Sequence, residues 1–106
     1  MKGVSPTQNS LKYMRSLGYT CQVVEHWNPF ANRRVDLFNC IDIVCLNGDK
    51  IVGIQTTSKA NMSARRKKMK EEPAMALWLN AAGQLVLHGW YKSKNKWTPQ
   101  VEVISD

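Results

Sequence analysis

Apolar positions along the chain change period several times, and each change marks an element. Between residues 5 and 18, Leu11, Met14 and Leu17 fall near helical spacing, with Tyr13 beside them. Ser5-Pro6 reads as an N-cap followed by proline at the first helical position, and Gly18 as the stop. Residues 19–27 are rich in β-branched and aromatic types and predict one strand, followed by a loop over residues 28–34. Two apolar strands, 40–46 and 51–57, flank an Asn47-Gly48-Asp49 turn. Ser63 is positioned to cap a helix through residues 65–72. Pro73 interrupts that helix, residues 74–82 continue it after a kink, and Gly83 ends it. Strands over 84–91 and 97–104, joined by the basic turn 92–96, complete the chain. The order α-β-β-β-α-β-β predicts an α/β sandwich with a central mixed sheet, as a single domain over residues 1–106. Leu77, Trp78 and Leu79 are expected in the core, and His26 and His88 in structural roles.

Composition narrows the function classes. Apolar residues make up 43% of the 106, enough for one core, yet no run is long enough to span a bilayer. The first ten residues lack the apolar segment of a secretory signal, so the expectation is a cytoplasmic protein without a membrane partner. The net charge of +7 favours a polyanionic partner, nucleic acid before others. Cys21, Cys40 and Cys45 are odd in number, form no CxxC pair and sit in apolar surroundings. They predict buried, reduced thiols, neither a disulfide framework nor a zinc site.

The segment from Arg34 to Ser58 carries the candidate chemistry. Asp42 lies inside the apolar run Ile41–Val44, where a carboxylate is costly unless something pairs with it, and a divalent cation is one such partner. The next strand ends on the polar cluster Gln55, Thr56, Thr57 and Ser58. A hairpin that joins an aspartate to a second oxygen ligand is the core of a metal-dependent phosphodiester-cleaving site.

The stretch Arg34-x-Asp36-Leu-Phe-x-x-x-Asp42, followed by Gly53-Ile-Gln55-Thr-Thr-Ser58, resembles the PD-(D/E)XK nuclease superfamily. The closest likeness is to its small Holliday-junction-resolvase-like and restriction-endonuclease-like members. By element order the resemblance covers nearly the whole chain, and by motif residues 25–59. It implies a restriction-endonuclease-like fold and cleavage of DNA, including branched or structured DNA, by a homodimer. It also implies that Asp42 is a carboxylate ligand of catalytic Mg²⁺ or Mn²⁺. Gln55 stands at the position where the family carries Glu or Asp, and Thr56 supplies a backbone carbonyl ligand. The family lysine would fall on Thr57, which cannot supply its charge, so Lys59, or Lys67 or Lys68 on the following helix, is expected to serve. Glu25 is a candidate second carboxylate and Asp36 another.

Plainer roles stand beside these. Asp42 could face outward under strict strand alternation, and Gln55 to Ser58 could be a simple strand-to-loop transition. Glu25 could be a surface strand residue, and Asp36 could pair with Arg33 or Arg34. The dense basic run 59–70 could be a solvated helix or could track phosphates through Arg65, Arg66, Lys67 and Lys68, with Arg33 and Arg34 extending that surface. Trp27, Trp90 and Trp97 read as core or half-exposed residues, one of them a candidate for base stacking. Two further readings remain: a non-catalytic nucleic-acid-binding module that keeps the nuclease fold, and a basic protein that binds an acidic protein partner.

Overall fold

The computed structural model describes residues 5–81 and 83–105; the expected helical end at residue 82, like residues 1–4 and 106, lies outside them. The first helix, α1 (Pro6–Ser16), starts as its sequence dictates. The Ser5 side chain accepts a hydrogen bond from the Gln8 amide at 3.2 Å, and Pro6 takes the first turn. Its buried residues are Ser10, Leu11 and Met14, and Gly18 turns the chain out at φ 94°.

Five strands form the main sheet, in the order β1 (Thr20–Val23), β4 (Ile43–Asn47), β5 (Lys50–Ser58), β6 (Gln84–Ser93) and β7 (Lys96–Ile104). Neighbours are antiparallel except β5 and β6, which run parallel. A parallel pair needs a crossover. Here it consists of a 3-10 turn (Lys59–Asn61) and two helices, α2 (Met62–Glu71) and α3 (Pro73–Asn80). The fold is therefore α/β with a central mixed sheet. On one face α1 packs Leu11 and Met14 onto Cys21, Ile43, Cys45, Val52 and Ile54. On the other, α2 and α3 pack Met62, Met69 and Met75 onto Ile41, Leu85 and Leu87.

Both tight hairpins follow their turn chemistry. Asn47 pairs with Lys50 around Gly48 at φ 59°. Ser93 pairs with Lys96 around Lys94 and Asn95, both in the left-handed region. β7 is an edge strand and so accommodates Pro99. Gly89 permits a close crossing: a Cβ there would meet the Met62 side chain and lie 3.1 Å from the Lys59 Cα. That crossing sets where α2 begins.

Several expectations need correction. The strand expected over 19–27 is two strands in different sheets. After β1 the chain leaves the main sheet, and β2 (His26–Asn28) pairs with β3 (Arg33–Val35), which lies where a loop was expected. The Asn28 side chain nucleates that hairpin by accepting from the Phe30 and Ala31 amides. The strand expected from residue 40 starts at Ile43, because Phe38 and Asn39 take positive φ and fold residues 37–41 into a bridged turn. Ser63 does not cap α2; the helix begins at Met62, continuing from the 3-10 turn. Leu77 is 69% exposed, whereas Trp78 and Leu79 pack half-buried on the core. The three cysteines are buried and free, as expected. Among the described residues no helix is long and apolar enough to cross a membrane.

Candidate metal and phosphate site

Register brings three acids together from three places in the chain. His26 pairs with Val35, so Glu25 and Asp36 stand one residue beyond the last pair of the β2–β3 hairpin. The Val24 amide donates to the Asp42 carbonyl at 2.8 Å, and the Asp42 amide to the Ile54 carbonyl at 2.8 Å. Asp42 is thereby stitched between the β1 exit and β5 at the entry to β4. One carboxylate oxygen from each of Glu25, Asp36 and Asp42 lies within 4.8 Å of the others, close enough to hold one metal ion.

Asp42 is buried at 4% exposure, which excludes an outward-facing role. Its Oδ2 accepts from Gln55 Nε2 at 2.7 Å and from the Thr56 amide at 2.9 Å. Burial chiefly, then a hydrogen bond shared with Asp36 and the charges of Asp36 and Glu25, pushes its carboxyl up to about 8, against the opposing pull of the Thr56 amide. Gln55 is 1% exposed, and its Oε1 has no hydrogen-bond partner among the described residues. Thr7, from the first turn of α1, donates to Glu25 Oε1 at 3.2 Å.

A polar network holds Thr56 from the other face of the sheet. Thr56 Oγ1 donates to the Pro6 carbonyl at 3.1 Å and lies 2.7 Å from Ser10 Oγ. Ser10 Oγ also accepts from Trp90 Nε1 at 2.8 Å and lies 2.8 Å from His88 Nδ1. Counting protons orders this chain. The Thr56 hydroxyl proton goes to Pro6, so the Ser10 proton goes to Thr56, and His88 Nδ1 donates to Ser10. Burial lowers the His88 pKa to about 4, which keeps the ring neutral and fits a structural role.

The acids floor an open cleft of about 330 Å³ whose rim carries Arg33 and Arg34 from β3 and Arg65 and Lys68 from α2. Not every expected cation is there. Lys59 stands over the Tyr91 ring at 4.5 Å instead of entering the cleft, because the 3-10 turn places it beside β6. Arg66 is committed to Glu102 on β7 through two hydrogen bonds of 2.6 and 2.7 Å. Lys67 lines a separate groove with Asn39 and Glu71. Thr56 meets Asp42 through its N–H. Gln55 likewise meets Asp42 as a donor, leaving its oxygen unspent.

Asp36 is the residue whose weight the sequence underplayed; its signal was the hairpin punctuation of Asn28-Pro29 and Asn32, which makes Glu25 and Asp36 opposite partners. Comparison with family models, curated proteins and solved structures gives no match. The arrangement itself can do two things chemically: hold a hard cation on oxygen donors, and gather phosphate at a cationic rim.

Proposed function

We propose that this chain is a metal-dependent endonuclease that hydrolyses phosphodiester bonds in DNA, with a restriction-endonuclease-like fold. One observation carries the reading: three convergent carboxylates lie at the floor of a cleft rimmed by two arginines of β3 and an arginine and a lysine of α2. The order α1-β1-β4-β5-α2-β6, with β5 and β6 parallel, supports the fold assignment.

The donors fit Mg²⁺ or Mn²⁺. They are oxygens without a nitrogen or sulfur ligand, and three carboxyl groups so close hold a proton that a cation would displace. Glu25, Asp36 and Asp42 would hold the cation. Once bound, it would supply Lewis-acid activation of water and charge neutralisation at phosphorus. The protein's own groups do the rest. Gln55 and the Thr56 amide fix the Asp42 carboxylate, and Thr7 fixes Glu25. Lys68 and Arg65 supply the positive charge that Thr57 cannot, stabilising the developing phosphorane.

The test is cleavage of supercoiled, linear and four-way-junction DNA by the purified protein with Mg²⁺, Mn²⁺ or EDTA. Cleavage with metal, none with EDTA and none by Asp42→Asn is expected. Gln55 and Thr57, where an acid and a lysine would complete the motif, favour a second reading: a DNA-binding module without catalysis. Absence of cleavage with every metal selects it.

A further inference from the structure

A second cleft, of about 440 Å³, lies on another side of α1. Its walls are aromatic: Tyr13 from α1, Trp90 from β6 and Trp97 from β7. Lys12 and Lys96 stand at its edge, and among the described residues no carboxylate lines it. Trp97 is 42% exposed, with the Lys92 ammonium 5.4 Å from its ring centre. Tyr13 and Trp90 meet edge to face at 6.1 Å, and the Trp90 indole N–H is fixed on Ser10, so these walls are rigid. Asn9 lines the same cleft, and its buried Nδ2 has no acceptor among the described residues.

The geometry points to a binding site for an unpaired nucleobase of a nucleic-acid strand in the Tyr13–Trp90–Trp97 cleft. Each feature matches one part of that ligand. An exposed indole offers a stacking face to any base. Lys12 and Lys96 match the adjoining phosphates, and the described lining residues include no acid to repel the strand. An apolar peptide would use the walls but neither lysine. The inference takes its class of ligand from the nuclease reading, and α1 links the two clefts. Thr7 lines the acidic one and Lys12 the aromatic one, about 7.5 Å apart along the helix axis. Between them Ser10 bonds both Trp90 and Thr56. A strand lying along α1 would place an unpaired base beside the scissile region, as a branched or frayed substrate allows.

The experiment measures binding of a short fluorescein-labelled oligothymidylate and of a blunt duplex by anisotropy, in EDTA. Trp97→Ala should weaken single-strand binding about fivefold or more, Trp97→Phe should keep it within about twofold, and duplex binding should barely move in either. Lys12→Ala with Lys96→Ala should flatten the logarithmic salt dependence on the single strand by about 1.4, the loss expected for two phosphate contacts. Circular dichroism checks that each variant is folded. The inference is overturned if the parent does not bind the single strand, if Trp97→Ala binds it like the parent, if both substrates weaken alike, or if the lysine pair leaves the salt slope unchanged. Because no metal is present, the result is independent of cleavage. Trp97-dependent binding by a protein that never cuts would sink the nuclease reading and keep this one, and cleavage without Trp97 dependence would do the reverse.

Discussion

Titrating the metal-free protein between pH 4 and pH 8 sets two buried groups against each other. Burial pushes the Asp42 carboxyl up to about 8 and the His88 imidazole down to about 4. In the unfolded chain these groups titrate near ~3.9 and ~6.5. His88 binds its proton less well folded than unfolded, so the stability it contributes is lost as pH falls below about 6.5. Asp42 holds its proton more tightly folded, so its contribution is present below about 3.9 and is lost as pH rises towards 8. The two slopes are each about 1.4 kcal/mol per pH unit and opposite in sign, so from roughly pH 4 to 6.5 they cancel. Above about 6.5 only Asp42 acts, and stability falls by at most about 2 kcal/mol by pH 8. In a domain of this size that is roughly 8–16 °C in Tm.

The assay is thermal melting by circular dichroism in EDTA across that range, for the parent and for Asp42→Asn. The substitution keeps the shape and removes the acid. Its profile should rise to about pH 6.5 on the His88 limb and then stay flat. Mg²⁺ added to the parent should raise Tm most at pH 8, where the Asp42 proton competes least, by up to about 2.7 kcal/mol of stabilisation at a hundredfold excess over Kd. Asp42→Asn should ignore it. A parent Tm that is flat from pH 6.5 to 8, or an Asp42→Asn profile that falls alongside it, refutes the reasoning.

Three other outcomes follow from the same geometry. Gln55→Glu replaces the donor 2.7 Å from Asp42 Oδ2 with a like charge, so Tm should fall in EDTA and the Mg²⁺-induced rise should exceed the parent's; equal rises would remove Gln55 from the site. Arg65→Ala with Lys68→Ala should weaken duplex binding for all sequences alike and reduce the salt slope by about 1.8, while Arg66→Ala, whose guanidinium is held by Glu102, should reduce it far less. Gly89→Ala should cost about 1–3 kcal/mol in chemical denaturation, because the new methyl meets the Met62 side chain and the Lys59 backbone.

Local chemistry made much of the fold legible, and register hid most of the rest. Ser5-Pro6, Gly48 and Pro73 each act within a few residues, and each element boundary they predict is present. Asp42 and Gln55 were legible as a pair because one short hairpin joins them. Glu25 and Asp36 were not, since their meeting depends on β2 leaving the main sheet, and residues 19–27 carry no break in strand propensity to announce it. The basic helix was read as a block of charge, but its buried Met62 and Met69, seven residues apart, fix its rotation. That rotation sends Arg65 and Lys68 to the cleft and Arg66 to Glu102, a sorting that composition cannot give.

The neutral amide at position 55 is intelligible once Asp36 is counted as part of the cleft floor. Glu25, Asp36 and Asp42 already place three carboxylates around one point. Burial of Asp42 makes each added negative charge harder to carry, which is why its proton is retained so far above the usual carboxylate range. A fourth carboxylate at position 55 would sit against Asp42 Oδ2 with nothing to donate to it. Gln55 instead gives Asp42 a hydrogen bond and keeps one oxygen in reserve. In the proposed nuclease, a divalent cation would neutralise most of the three-acid floor by itself. The positive charge of Arg33, Arg34, Arg65 and Lys68 then faces an approaching phosphate instead of being spent on the floor beneath it. An acid at position 55 would draw on that rim and weaken its hold on DNA. The same substitution that tightens metal binding should therefore loosen DNA binding, and measuring both on Gln55→Glu separates a charge-balanced site from a merely degenerate one.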